Sequence, residues 1–508
     1  MTSLPTILLP EPELSFGHGQ TADNPKDGLF LFGPVIDETH PRQLRLGVIG
    51  TSEGLGRYDR WAARMRGYIP VPDGARAHHM PWPGFEAAFA CEWPERPMAR
   101  IALRLDDLVD AIQIKSRQEA VYKAVGLYLN PILAHLRREE ARPTLWFVLL
   151  PEDIYRYGRQ ESVVPRDRQR PGDTRAGSRL VRSSIARGQG LLFAEDNAAA
   201  ELHKFSADFH NQLKARLLKE RVAVQLLRET TIAPDDFLSN TGRPVRRLQD
   251  EATRAWNLGV ATFFKAEGKP WGLAAARPGV AYVGLVFKHV PDGPETHACC
   301  GAQMFLASGA GTVFRGAMGP WRSKDRREFH LSRAAAADLI GVVVEEFRAK
   351  HDGEAPKELF VHGKIGFSDE EWEGFASAVP AETNLVGVRI RQVSDLKVFT
   401  PGKMPLLRGH ALLLAPRKAF LWTNGFVPRL NTYPGWEVPR PLAVDLVRGD
   451  ADMEAVLGDV LALTKLNYNS ADYAVGLPVT LGFADDVGTI LTAAPTDDTP
   501  PLPFRYYM

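Results

Sequence analysis

The alternation of apolar strands with helical patterns constrains this chain most. Gln43–Gly50 reads as a strand that ends in a turn, and Pro143–Pro151 reads as a buried strand bounded by prolines. Helical patterns over Gly54–Met65 and Leu105–Arg138 lie between the two strands. Strands that alternate with helices in this way indicate an α/β layer. We therefore expect a doubly wound domain over about 140–270.

The stretch His203–Trp271 places polar residues where an ordinary core would not hold them. Its first helix carries an apolar stripe with a spacing of four residues: Phe205, Phe209, Leu213 and Leu217. His210 and Lys214 are also four residues apart, so they share a helix face beside that stripe. The stretch therefore predicts a helix with two polar residues on one side of its apolar face.

Two further polar residues follow this helix. Gln225 lies in the β-rich run Arg221–Leu227, and Lys265 follows a second helix over Leu248–Phe264. Two cations, an amide and an imidazole without an ionised carboxylate suit a terminal phosphate. The competing interpretation is that His210 and Lys214 belong to a solvated helix shoulder.

The ordered series His210, Lys214, Gln225, Lys265, followed by Gly268–Trp271 and the strand Ala281–Phe287, resembles the MID–PIWI half of Argonaute proteins. The chain most resembles the short prokaryotic Argonautes, which lack the N-terminal and PAZ domains. The resemblance implies an α/β architecture in which a Rossmann-like MID domain precedes an RNase H-like PIWI domain. In that family these four positions hold the 5′ phosphate of a small guide strand.

The resemblance gives three regions. Residues 1–139 are a lead-in and the first part of the MID lobe, 140–275 are the MID domain, and 276–508 are the PIWI domain. In the last region Val280–Val290 reads as a strand, and Ser332–Lys350 reads as a helix with Ser332 as its N-cap. A strand-rich part followed by a mixed part suits an RNase H-like fold.

The acids that a two-metal nuclease needs are missing from the expected places. Val286 or Phe287 stands where the resemblance puts the first Asp, and Gly363 and Lys364 follow His362 where it puts another acid. Three acids lie near the C-terminal segment that resembles the family's last strand-to-helix junction: Asp472, Asp485 and Asp486. The two adjacent acids at 485 and 486 are interpreted as helix N-terminal charge and His362 as a structural histidine. We expect no slicing activity, and the alternative is a slicing endonuclease with an unrecognised metal site.

Net charge limits how the chain can meet a polyanion. The 508 residues carry a formal net charge of +1, so a local groove is required in place of a basic coat. Between Arg156 and Arg187 lie nine arginines and three acids, which favour either a solvated insertion or an arm along phosphates. Arg315 and Arg408, each before a glycine, are further candidate contacts to a nucleic-acid backbone.

Three cysteines (Cys91, Cys299 and Cys300) form no disulfide framework and no metal spacing. The start Met1–Pro5 has no signal-peptide pattern, and no run approaches a membrane span. We expect a cytoplasmic protein without membrane contact.

The resemblance also implies ligands and partners. These are a small guide RNA with a 5′ phosphate, a complementary single-stranded DNA target, and Mg²⁺ at the guide phosphate, completed by the terminal carboxylate of Met508. Short Argonautes act with a second protein that carries an APAZ region and a TIR, sirtuin-like or nuclease effector. The function implied is guide-directed recognition of invader DNA in prokaryotic immunity. A phospho-ligand binding protein without nucleic acid is a further alternative.

Overall fold

The computed structural model describes residues 5–76, 78–173, 197, 201–275, 277–289, 298–306, 308–319, 321, 328–433, 437–495 and 501–508. The strands of this part of the chain are β1 (Thr6–Leu8), β2 (Leu14–Ser15), β3 (Thr21–Ala22), β4 (Leu46–Thr51), β5 (Ala99–Leu103), β6 (Leu145–Leu150), β7 (Ala223–Arg228), β8 (Gly272–Leu273), β9 (Val280–His289), β10 (Ala298–Phe305), β11 (Gly311–Gly319), β12 (Glu358–Gly363), β13 (Asn384–Gln392), β14 (His410–Ala415), β15 (Lys418–Leu421), β16 (Leu442–Arg448) and β17 (Leu502–Pro503).

The helices in the same ranges include one long helix in each half, of 22 and 18 residues. They are α1 (Pro25–Phe32), α2 (Ser52–Arg66), α3 (Phe85–Phe89), α4 (Leu105–Ile112), α5 (Arg117–Arg138), α6 (Glu152–Tyr157), α7 (Phe209–Leu217), α8 (Glu229–Ile232), α9 (Glu251–Lys265), α10 (Arg333–Lys350), α11 (Asp369–Ala378), α12 (Met453–Leu463), α13 (Val479–Gly482) and α14 (Ala484–Leu491). None of these helices is long and apolar enough to span a membrane.

The first lobe is built on a parallel sheet with the order β5-β4-β6-β7. All residues of β4 and β6 are buried, as expected for strands covered on both faces. Side chains of α2 and α9 pack on one face, and side chains of α4, α5 and α7 pack on the other. This arrangement is Rossmann-like. Two of its strands, β4 and β5, precede residue 140, so the sheet extends N-terminal of the expected 140–270 into the region 1–139, which was expected to hold the first part of this lobe.

The second lobe contains a ten-stranded sheet whose central order is β11-β10-β9-β12-β13. The first three strands of the lobe pair antiparallel, and β12 then lies parallel to both β9 and β13. This order and these directions are those of an RNase H-like fold. Helices α10 and α11 cover one face, while α12, α13 and α14 contribute to the core on the other. The predicted helix over Ser332–Lys350 is confirmed, with Ser332 accepting from the N–H of Ala335.

The N-terminal segment belongs to the second lobe. Strand β1 pairs with β14 at one edge of the ten-stranded sheet, and β2 pairs with β8. Between them, Glu11 forms ion pairs with Arg408 and Lys465. The described N-terminal residues from Pro5 onward therefore contribute an edge strand, β1, to the sheet of the second lobe rather than a lead-in to the first.

Candidate anion-binding pocket between the lobes

Helix α7 begins at an Asp208 cap, whose carboxylate accepts from the N–H of Asn211 at 2.9 Å. Phe209, Leu213 and Leu217 are buried in the core of the first lobe, as the apolar stripe predicts. Phe205 lies before the helix, so the predicted stripe is one turn too long at its start.

Lys214 is buried on this helix, with 4% of its surface exposed, so the solvated-shoulder interpretation is wrong for this residue. Its Nζ donates to the main-chain oxygen of Met508 and lies 3.4 Å from that of Tyr507. Burial lowers the pKa of the ammonium to about 7, although the Asp486 carboxylate opposes this shift. The last residues of the chain thus lie directly against a buried cation of the first lobe.

Lys265 is the last residue of α9 and is also buried, with 2% of its surface exposed. Its Nζ donates to the side-chain oxygen of Gln225 at 2.6 Å. Burial lowers the pKa of this ammonium well below its ordinary value, and the positive charge of Lys214 lowers it further. Strand β7 and helix α9 therefore bring an amide and a second cation to the same place.

His210 lies on α7, one turn before Lys214, and its ring nitrogen Nδ1 lies 3.1 Å from the side-chain oxygen of Asn211. The Lys214 ammonium, together with the loss of hydration, lowers the pKa of the imidazole to about 3, and Lys265 contributes in the same direction. The ring is therefore neutral near pH 7. It can stack or hydrogen-bond, but it adds no third charge.

The structure thus brings together the four residues that the sequence singled out. In the part of the chain that the structure describes, neither ammonium forms an ion pair with a side-chain carboxylate. Two buried ammonium groups without a side-chain carboxylate partner carry a desolvation cost that a bound anion would offset. The geometry suits an anion with several oxygen atoms, such as a phosphate.

Comparison with solved structures gives matches along nearly the whole chain. The Clostridium butyricum Argonaute bound to a guide DNA and a 19-mer target DNA matches with a TM-score of 0.59 and 13% identity, over 97% of this chain and 54% of that one. A structure of Aa-Ago with externally bound siRNA matches with a TM-score of 0.56, 16% identity and coverages of 99% and 56%. The A. aeolicus Argonaute matches with a TM-score of 0.55, 15% identity and coverages of 99% and 55%.

The chain has an Argonaute-like fold. It spans about half the length of the Argonaute structures it matches. No family model matches the sequence, and the comparison with curated proteins gives no match. The Rossmann-like and RNase H-like lobes expected from the sequence are thereby confirmed as parts of one known fold.

Arg408 does not lie on a surface of this Argonaute-like fold. Its guanidinium is buried and donates to Glu11 at 3.0 Å, to Thr464 at 2.8 Å, and to the carbonyl oxygens of Thr423 and Leu461. A phosphate could reach it only by displacing these partners, so its expected contact with a nucleic-acid backbone is unsupported. Sequence reasoning missed Glu11 as the ion-pair partner of Arg408, because the two residues lie 397 positions apart in the chain.

Arg315 lies in β11 opposite Gly301 and is half-buried. Its contact with a nucleic-acid backbone stays a prediction. In the Arg-rich segment 156–187, the structure describes 156–173 only, and residues 174–187 lie outside the described residues. Within the described part, the N–H of Arg170 donates to the carbonyl of Gln113 at 2.9 Å, so this end is attached to helix α4.

Lys364 follows β12 in the second lobe, at the place where the resemblance puts an acid. Its Nζ lies 3.0 Å from the carboxylate of Asp485, and both side chains are largely exposed. His362 is fully buried and shares a hydrogen bond of 2.9 Å with the Thr480 hydroxyl, while burial lowers its pKa to about 3. Among the described residues, no three His, Cys, Asp or Glu side chains are grouped as a metal site.

Proposed function

We propose that this protein binds the 5′ phosphate of a guide strand in the pocket formed by His210, Lys214, Gln225 and Lys265. One observation carries the proposal: two buried ammonium groups converge, and among the described residues no side-chain carboxylate forms an ion pair with either. Each charge-assisted hydrogen bond to a phosphate is worth about 1.5–3 kcal/mol. Gln225 holds Lys265 in place, and the neutral His210 ring is suited to stack on the first base.

The oxygen atoms available for a cation in this pocket are few. Among the described residues they are the side-chain oxygen of Gln225 and the main-chain oxygens of Tyr507 and Met508, and each accepts from a lysine. Mg²⁺ prefers six oxygen ligands and usually combines protein oxygens with phosphate and water. These donors fit Mg²⁺ only in the company of phosphate oxygens. We propose that Mg²⁺ joins the site with the guide, held by the Met508 carboxylate.

Recognition of the target would then come from base pairing, with the protein holding the shape of the backbone. We propose a small RNA guide and a complementary single-stranded DNA target. The second lobe would hold the target without cutting it. Lys364 supports this, because its charge repels a divalent cation where the resemblance expects a metal ligand.

The resemblance to short prokaryotic Argonautes extends the proposal to a partner. We propose that target recognition activates an APAZ-containing effector protein, of the TIR, sirtuin-like or nuclease type, in cytoplasmic defence against plasmids or phages. Purification from native cells tests this: an APAZ protein and short 5′-phosphorylated strands should copurify. Recovery of the chain without nucleic acid would instead favour the phospho-ligand alternative.

The pocket is tested by the double variant Lys214→Met/Lys265→Met. We expect wild-type protein to prefer a 5′-phosphorylated oligonucleotide over its 5′-hydroxyl form by about 100-fold or more, since two charge-assisted bonds are involved. The variant should bind both forms equally. Lys115→Met/Lys219→Met is the control, because both lysines are exposed and lie outside the pocket. Equal preference in both variants would contradict the proposal.

A cleavage assay tests the claim about the second lobe. Protein, guide and complementary target are incubated with Mg²⁺ or Mn²⁺, and the target is expected to stay intact. Specific cutting that Asp472→Asn or Asp485→Asn abolishes would establish the slicing alternative and leave the 5′-phosphate pocket unaffected.

A further inference from the structure

A second cationic feature lies on the first lobe, outside the pocket. It is a groove of about 1070 Å³ between the second half of α2 and the first turn of α9, closed by the loop that follows α8. Its cations are all arginines: Arg60, Arg64, Arg243, Arg246, Arg247 and Arg254. We call this feature the arginine groove.

The charges of the arginine groove do not balance. Three carboxylates line it, and two of them are already engaged: Asp236 pairs with Arg60 at 2.6 Å, and Glu251 pairs with Arg64 at 2.9 Å. The remaining four arginines form no ion pair within the residues that the structure describes. The groove therefore presents several guanidinium groups to a ligand from outside the chain.

Two of the four unpaired arginines have partners that fix their position without neutralising them. Arg246 donates to the Thr231 hydroxyl at 2.9 Å, and Arg254 donates to the carbonyl of Gln249 at 2.7 Å. Burial lowers the pKa of both guanidinium groups, although they remain charged. Positively charged groups that are held in place and partly desolvated are suited to bind an anion without further ordering.

We propose that the arginine groove binds the phosphodiester backbone of a single-stranded nucleic acid. Guanidinium forks match phosphate oxygens in pairs, and the groove contains no lysine. Its floor includes the apolar side chains of Pro234, Pro244 and Leu248, which keep exposed surface against which bases can pack. An acidic peptide would use the charges but leave this floor without a matching partner. The inference rests on the proposed function and adds a second contact region to it.

The distance between the groove and the pocket limits which strand the groove can bind. Arg254 in the groove and Lys265 in the pocket lie eleven residues apart on helix α9, which is about 16 Å along the helix axis. Stacked nucleotides rise about 3.4 Å each, so this distance spans about five nucleotides. The strand in the groove is therefore either a continuation of the one anchored in the pocket or a second strand.

The experiment compares Arg243→Gln/Arg246→Gln/Arg247→Gln with a control of equal charge loss, Arg137→Gln/Arg138→Gln/Arg142→Gln. The control arginines are exposed near the end of α5. Affinity is measured against salt for 5′-phosphorylated oligonucleotides of about four and about twelve nucleotides. For the longer strand, the groove variant should lower the slope of log affinity against log salt by about 2, because each contact contributes about 0.7. For the shorter strand the slope should not change.

A second arm separates the two sources of the strand. With the pocket saturated by the short phosphorylated strand, a long 5′-hydroxyl strand is titrated. Binding that the groove variant loses identifies a second strand. No such binding, together with the reduced slope in the first arm, identifies the strand anchored in the pocket. Either result supports the groove.

Two results would overturn the inference. One is a groove variant that behaves like the control in both arms. The other is polyglutamate binding that only the groove variant loses while oligonucleotide binding is unchanged, which would assign the groove to an acidic protein. Failure of the proposed function looks different: the preference for a 5′ phosphate would be absent in wild-type protein, whatever the groove variant does.

Discussion

Two sets of buried cations in this molecule differ in what neutralises them. In the second lobe, Arg408 and Lys465 have almost no exposed surface, and Glu11 lies 3.0 Å from one and 2.7 Å from the other. In the pocket, Lys214 and Lys265 are buried to a similar extent, but Lys214 meets a main-chain oxygen of Met508 and Lys265 meets the amide of Gln225, and neither pairs with a side-chain carboxylate of the described residues. A structural cation has its anion within the fold. Lys265 has no such anion among the described residues, and a bound anion would supply one to both pocket lysines, which is the physical basis of the proposed site.

Removing the internal anion should have the largest effect on stability. Glu11→Ala leaves Arg408 and Lys465 buried without a counter-charge, and breaking a buried pair in this way costs about 3–5 kcal/mol. Denaturant unfolding of the whole chain measures the loss. Glu13→Ala is the control, because Glu13 is exposed and forms no ion pair among the described residues. A loss no greater than the control's would show that the two sets of cations do not differ as described.

Removing a buried cation that has no ion-pair partner among the described residues should increase the free energy of unfolding instead of lowering it. Lys265→Met replaces a buried ammonium with an apolar side chain of similar volume, so we expect the free energy of unfolding to rise by about 1–3 kcal/mol. Affinity for a 5′-phosphorylated strand should fall in the same variant. Stability and binding are measured on one preparation, by denaturant unfolding and by titration. A destabilised variant would indicate that Lys265 has a structural role.

The protonation of Lys214 should make binding depend on pH. Its pKa of about 7 lies below the ordinary 10.5, so the free protein loses this charge as pH rises through 7. The preference for a 5′ phosphate should then fall by up to about tenfold per pH unit. Below about pH 6 it should also weaken, because the phosphate takes up a proton. Titrations between about pH 5 and 9 measure both changes, and Lys214→Arg should remove the alkaline decline.

The lowered pKa of Lys214 should also make the free energy of unfolding depend on pH. Because the folded pKa of Lys214 is lowered, the unfolded chain binds more protons than the folded chain between about pH 7 and 10.5. The contribution of Lys214 to stability therefore improves as pH rises through that window. If unfolding of wild-type protein and Lys214→Met shows the same pH dependence there, Lys214 does not titrate as described.

Local patterns predicted much of the secondary structure. The apolar strand within Pro143–Pro151 and the helices over Leu105–Arg138 follow from hydrophobic spacing, and both are confirmed. Strand β5 was missed because its five residues alternate in exposure and are flanked by charge.

The candidate site was also predicted only in part. The resemblance supplied the four pocket positions, and the fold brings them together. What no local pattern could supply is the contact of Lys214 with Tyr507 and Met508, which are about 290 positions away. The burial of Arg408 is a similar case, since a glycine after an arginine says nothing about Glu11. Long-range partners decide whether a charged residue is structural or available to a ligand.

The smallest effect is expected where a cation is paired but exposed. Lys364 and Asp485 lie 3.0 Å apart with 49% and 72% of their side chains exposed. Surface ion pairs contribute about 0–1 kcal/mol, so Lys364→Ala should change the free energy of unfolding by no more than that. Lys364→Asp should likewise give no cleavage, because one added acid beside Asp485 cannot hold two metals. Cleavage by Lys364→Asp would mean that this lobe needs only one residue to become a nuclease, and that Lys364 alone keeps a metal away from Asp485.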